Sequence, residues 1–165
     1  VMLTEIDRGE LELHKEEVAL RPLLRDIAEK YQLKTAKTIH FDIDCEEGCS
    51  VYADAFCLHE ILSNLVDNAV KYSNEEVLII LSGKKTEDGT IVRVHDSGIG
   101  IPLSEQHKIF NKFERVASGS RKTGTSGFGL GLNYVLQVVS AHGGMVKVES
   151  MEGSYSEFTL QFPLR

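Results

Sequence analysis

The sequence predicts an α+β fold, a two-layer sandwich of helices on a sheet, and three observations predict it. Segments of helical periodicity are interleaved with alternating segments that close as hairpins, which fits a sandwich better than a doubly wound fold of repeated βαβ units. The 165 residues suit one domain, and 42% of them are hydrophobic, enough for a core filled mainly by aliphatic side chains because Trp is absent and aromatics are 7%. Between Ser97 and Ser126 both periodicities fail, and a long irregular stretch inside a compact domain is usually functional, often a lid.

Met2, Leu3 and Ile6 have helical spacing and Gly9 follows as a C-cap, so the chain is expected to begin inside the last turns of a helix (residues 1–9) that belongs to a preceding domain. A short strand is expected at Glu16–Ala19. Pro22, at the first helical position, opens a helix to about Leu33. Thr38–Asp44 alternates as a strand, with Ser50–Tyr52 as its short partner. Asp54 is placed to cap a helix that runs to about Tyr72. Val77–Lys85 and Thr90–Asp96 read as strands joined through Glu87-Asp88-Gly89. Helical spacing resumes over Gly127–Ala141 through Leu130, Tyr134, Val135, Val138 and Val139, and His142-Gly143-Gly144 ends it. Met145–Ser150 and Glu157–Pro163 form a final hairpin.

A net charge of −7 argues against a general nucleic-acid surface and means that any anionic ligand must be met by local cations or a metal. No apolar run approaches the roughly 18 residues of a membrane span, and no signal peptide is visible, so no membrane contact is expected of this domain and the cytoplasm is the default location. Cys45, Cys49 and Cys57 are an odd number and read as reduced buried thiols; Cys45 and Cys49 lack a second pair of ligands for a zinc site. The six His form no metal motif.

Three segments carry chemistry. In the helix after Asp54, residues Glu60, Asn64, Asp67, Asn68 and Lys71 share a sector of roughly 100°. Two Asn one turn apart are poor helix filler. Their amides and the Lys71 ammonium suit a metal ion and a phosphate, although the same stripe also reads as a wet helix face. Asp96-Ser-Gly98-Ile-Gly100-Ile101-Pro102 follows an apolar strand. Its glycines allow close approach of backbone to a ligand, and Asp96 is an acceptor suited to an exocyclic amine; the plain alternative is a glycine turn. Gly124-Thr125-Ser126-Gly127-Phe128-Gly129-Leu130-Gly131 opens the last long helix, where free N–H groups and the helix dipole favour an anion. Glycines this dense cost helix stability, a cost better tolerated where a ligand needs the backbone. No GK[ST] follows, so this is not a Walker loop. Residues 103–126 carry five Lys or Arg against two Glu, a basic flap on an acidic chain, with Phe110 and Phe113 spaced to anchor it.

Together these segments resemble the catalytic ATP-binding domain of bacterial sensor histidine kinases, in the gyrase, Hsp90, histidine kinase and MutL superfamily. Asn64-Leu-Val-Asp-Asn68-Ala-Val-Lys71-Tyr72 is similar to the family's N box. Asp96-Ser-Gly98-Ile-Gly100-Ile-Pro102 is similar to its first glycine box, Ile109-Phe110-Asn-Lys-Phe113-Glu-Arg115 to its F box, and Gly127-Phe-Gly129-Leu130-Gly131-Leu to its second glycine box. The resemblance implies a mixed, mostly antiparallel sheet covered on one face by about three helices (the Bergerat-type ATP-binding fold), with the catalytic domain over residues 10–165. It implies ATP and Mg²⁺ as ligands: Asn68 on the metal, Asn64 near the phosphates, Lys71 on phosphate and Tyr72 near the nucleotide. Asp96 would hold adenine in a pocket shaped by Gly98, Gly100 and Ile101. Thr125, Ser126, Gly127, Gly129, Leu130 and Gly131 would border the phosphates. The implied reaction is transfer of the γ-phosphoryl group to a His on a dimerisation domain outside this chain, by way of Asn64 and Lys71, with a response-regulator receiver domain as further partner.

Hydrolysing branches of the superfamily carry a Glu base four residues before the metal-binding Asn. Here that position is Asn64, which cannot take a proton at neutral pH, and Glu60 imitates the spacing one turn too early. His59-Glu60-Ile61 imitates a phosphoacceptor motif, but the expected Pro is missing and His59 lies off the polar stripe. The alternative from another class is a non-catalytic nucleotide-sensing or interaction module of the same fold.

Overall fold

Alternation of apolar and polar residues builds the central strands of this molecule. The structure, a computed structural model, describes residues 12–71, 73, 75–98, 100 and 126–164, and only the backbone of 126–131. The expected helical stub at residues 1–9, the basic flap with its F box, and Tyr72, Ile101 and Thr125 therefore lie outside the described residues.

The described elements, in order, are β1 (Lys15–Ala19), α1 (Leu20–Lys34), β2 (Thr38–Cys45), β3 (Ser50–Asp54), α2 (Ala55–Lys71), β4 (Glu76–Lys85), β5 (Gly89–Asp96), α3 (Ser126–Ala141), β6 (Met145–Met151) and β7 (Tyr155–Pro163). Five strands form one sheet in the order β2-β4-β5-β7-β6. Its pairs are antiparallel except β2 with β4, which run parallel from Thr38↔Glu76 to Cys45↔Gly83. A parallel pair needs a long crossover, and β3 with α2 supplies it. The result is the mixed, mostly antiparallel sheet expected.

One face of this sheet carries the core. Val77, Ile79 and Leu81 of β4, Val92 and Val94 of β5, and Phe158, Leu160 and Phe162 of β7 are buried at alternate positions. The helices meet them with Leu24 and Ile27 of α1, Leu58, Ile61, Leu62 and Leu65 of α2, and Leu132, Val135, Val138 and Val139 of α3. Gly83 is set by this packing, because a Cβ there would meet Leu20 Cδ2 at 2.2 Å and Cys45 Sγ at 3.2 Å. All three cysteines are buried and free of disulfides.

One pairing departs from expectation. Ser50–Tyr52 was expected beside Thr38–Asp44, but β3 pairs antiparallel with β1 in a separate two-stranded ribbon, Ala19↔Ser50 to Lys15↔Asp54. The turn after β2 explains this. Gly48 adopts φ +88°, Cys49 N–H donates to Glu46 O (3.2 Å), and Leu20 N–H donates to Cys49 O (3.0 Å). That last bond hooks the turn to the start of α1 and delivers Ser50 to β1.

No helix among the described residues is long and apolar enough to cross a membrane.

Candidate functional site

The helix that carries the polar stripe is fixed at both ends. At its start, Asp54 Oδ1 accepts the Cys57 N–H (3.0 Å), the N-cap bond the sequence predicted, and Oδ2 accepts the His14 N–H (2.9 Å). Burial opposes the charge on Asp54, but these two N–H donors outweigh it and hold the carboxyl below its usual range. The Asp54 N–H donates to Nε2 of His142 (3.0 Å), whose Nδ1 donates to Val138 O (2.8 Å). Both ring nitrogens are therefore used by a neutral imidazole, and burial holds His142 below its ordinary pKa. The start of α2 is thus latched to the end of α3.

Along α2 the stripe divides by task. Glu60 accepts the Tyr134 hydroxyl of α3 (2.7 Å). Burial, reinforced by that carboxylate, pushes the Tyr134 phenol up. Glu60 is thus part of the α2–α3 seam. Asn64 is half-buried. Lys71 Nζ lies 3.0 Å from Asp67 Oδ2, an i, i+4 pair of mostly exposed groups. Asn68 is buried, and among the described residues its Nδ2 has no hydrogen-bond partner. An amide left unpaired inside a protein is costly.

Asp96 closes β5 and is 6% exposed. Its Oδ1 accepts the Gly98 N–H (2.9 Å). Burial pushes the carboxyl up to about 6, against the opposing pull of Gly98 and His95. Ser97 clamps the following turn to β4, donating its N–H to Leu78 O (3.0 Å) and accepting the Leu78 N–H on Oγ (3.0 Å). Gly100 has φ +74°, and a Cβ there would lie 2.2 Å from Met151 O, so only glycine fits. α2 packs against both β5 and α3, which makes the three motif-bearing elements neighbours. The backbone of Ser126, Gly127, Gly129, Leu130 and Gly131 is helical, in the first turns of α3 as predicted.

Three features of this region were not foreseen in the sequence. The Tyr134–Glu60 bond joins residues 74 apart in the chain. His142 was read only as a helix stop. Lys37, an isolated lysine in a loop, carries no motif signal, yet it donates to the end of α2. A separate cleft of about 580 Å³ beside the β2–β3 turn mixes Lys84, Lys85 and Arg93 with Asp44, Glu46 and Glu47 and shares no residue with these motifs.

A family model described as histidine kinase-, DNA gyrase B- and HSP90-like ATPase matches residues 53–165, starting one residue before the Asp54 cap. This chain belongs to that family. The circadian input-output histidine kinase CikA of Synechococcus elongatus is 34% identical over 166 residues, covering 98% of this chain and 22% of its own length. The chain spans between 22% and 41% of the first curated relatives it matches. The catalytic domain of histidine kinase ThkA, solved nucleotide-free, superposes with a TM-score of 0.77 at 27% identity over 92% of this chain and 96% of that one. Full-length ShkA in complex with AMPPNP gives 0.78 at 25% identity, over 98% of this chain and 33% of that one. The chain is therefore an ATP-binding catalytic domain of the histidine-kinase type.

Proposed function

We propose that this domain works within a longer sensor kinase, binding Mg²⁺-ATP and passing the γ-phosphoryl group to a His on a dimerisation domain outside the chain, from which a response-regulator receiver domain takes it. The cytoplasm is its place of work. The observation that carries the reading is the α2 stripe: Asn64 stands where a hydrolase has its Glu base, and the nearby Glu60 is held by Tyr134. The position of the hydrolase base thus holds a group that cannot take a proton, so the phosphoryl group is kept for a better-placed nucleophile.

The residue roles follow from the same frame. Asp96 accepts the exocyclic amine of adenine through the carboxylate oxygen that Gly98 leaves free. Gly98, Gly100 and Ile101 line that pocket, and Tyr72 lies against the nucleotide. Lys71 exchanges its exposed Asp67 partner for a phosphate. Thr125, Ser126, Gly127, Gly129, Leu130 and Gly131 offer hydroxyls and backbone N–H groups to the phosphates at the positive end of α3. The residues also fit a hard divalent ion. The orphaned amide of Asn68 can present its oxygen after an amide flip, and Asn64 sits one turn away. Mg²⁺, when bound, supplies charge neutralisation at the phosphates. The AMPPNP bound by ShkA supports a nucleotide in this frame.

Calorimetric titration with ATP tests the site. Asp96→Asn should weaken binding sharply, and Asn68→Ala should remove its dependence on Mg²⁺. Unchanged binding in both variants would sink the assignment. A module that only senses nucleotide would bind ATP equally well but label no histidine.

A further inference from the structure

We infer that Lys37 is a positioning residue for the phosphate end of the nucleotide site. It lies in the short loop between α1 and β2, far in sequence from every motif residue, and it is half-buried. Its ammonium meets the end of α2: Val70 O at 2.6 Å, Ser73 O at 3.0 Å, Ser73 Oγ at 3.4 Å and Lys71 O at 3.5 Å. Ser73 Oγ in turn donates to Val70 O (2.8 Å). The last carbonyls of a helix have no partner within the helix, and they carry the negative end of its dipole. Here a cation from another element takes them, where a glycine C-cap would ordinarily do so.

The consequence is positional. Lys71 is the last residue of α2 and lies among the carbonyls that Lys37 gathers. The lysine's own element is tied to the same place, since Thr38 N–H donates to Glu75 O (2.9 Å) and β2 then pairs with β4 from Thr38↔Glu76. Among the described residues the side chain of Lys71 is held by one largely exposed pair with Asp67, so the cap does more than that contact to place it. Lys37 thereby sets where the Lys71 ammonium is carried. A second cation at this helix end also leaves Lys71 free to leave Asp67 for an anion.

This inference rests on the proposed contact of Lys71 with phosphate, and the test separates the two. Titration calorimetry with Mg²⁺-ATP and with adenosine is run on the wild-type chain, Lys37→Met, Lys37→Arg and Asp96→Asn, with thermal melts to confirm folding. Lys37→Met should weaken Mg²⁺-ATP by about tenfold, the order expected when a charge-assisted cap is lost. Adenosine should change less than about twofold, because Asp96 is untouched, and Lys37→Arg should restore most of the loss. Equal weakening of ATP and adenosine, or no weakening of ATP, overturns the positioning role. Where Lys37→Met does not fold, Lys37→Gln, which keeps donors but not the charge, is read by the same criteria. If Asp96→Asn binds both ligands normally, the nucleotide-site reading itself fails, whatever Lys37 does.

Discussion

At the scale of single residues, Asp96 shows the cost of keeping a carboxyl group in the interior. Its carboxyl is pushed up to about 6, so ionising it at neutral pH costs on the order of 3 kcal/mol. Between about pH 4, where the unfolded carboxyl titrates, and about pH 6, only the folded chain holds the proton. The contribution of Asp96 to stability therefore falls as pH rises through that window and is lowest above it. Asp96→Asn keeps an oxygen for the Gly98 N–H and removes the charge. It should raise the apo stability at pH 7 by about 1–3 kcal/mol while binding is lost. In thermal melts that advantage should shrink as pH is lowered from 7 to 5; an advantage independent of pH contradicts the account. Adenosine affinity of the wild type should weaken below about pH 6, as the acceptor is protonated. The place of Asn64, Asn68 and Lys71 on one helix and of Asp96 at a strand end was legible in the sequence, because local periodicity sets both. Lys37 and Tyr134 were not, because a contact between residues 33 or 74 positions apart leaves no local pattern.

At the scale of elements, α2 is positioned by bonds at both ends and along its length. Asp54→Ala removes its cap and the acceptor for His14, and should destabilise the chain by about 1–2 kcal/mol in urea unfolding. The backbone N–H of residue 54 remains on His142, so the latch to α3 survives. The latch has its own pH sense. His142 is held below its ordinary pKa, so the unfolded chain takes up that proton first, and stability is lost as pH falls below about 6.5. This is opposite in direction to Asp96. Tyr134→Phe tests the seam between α2 and α3. It leaves the Glu60 carboxylate without its donor and should cost about 1 kcal/mol. It should not raise the release of inorganic phosphate from ATP; a rise would identify Glu60 as a base that Tyr134 restrains. The Asp54 cap and the periodicity of α2 were readable in advance. The partner of β3 was not, since the short Ser50–Tyr52 segment names no neighbour, and the deciding bond, Leu20 N–H to Cys49 O, crosses 29 positions.

At the scale of the molecule, the sheet acts as a platform that brings the motif-bearing elements together. α2 bridges the parallel pair β2–β4, β5 delivers Asp96 at its end, and the β6–β7 hairpin completes the sheet and places Met151 O against Gly100. The hairpins were readable because their turns are local, while the parallel pairing needed the three-dimensional path of α2. On the proposed reading, Asn64 leaves the position of the hydrolase base empty, so the domain is expected to donate its phosphoryl group to an acceptor histidine and not to water. That expectation is tested by incubating the chain with Mg²⁺, γ-labelled ATP and the histidine-bearing dimerisation fragment of its own parent protein. The account predicts label on the histidine of the fragment, none on the chain alone, and little free phosphate. Steady release of labelled phosphate with an unlabelled fragment would contradict it.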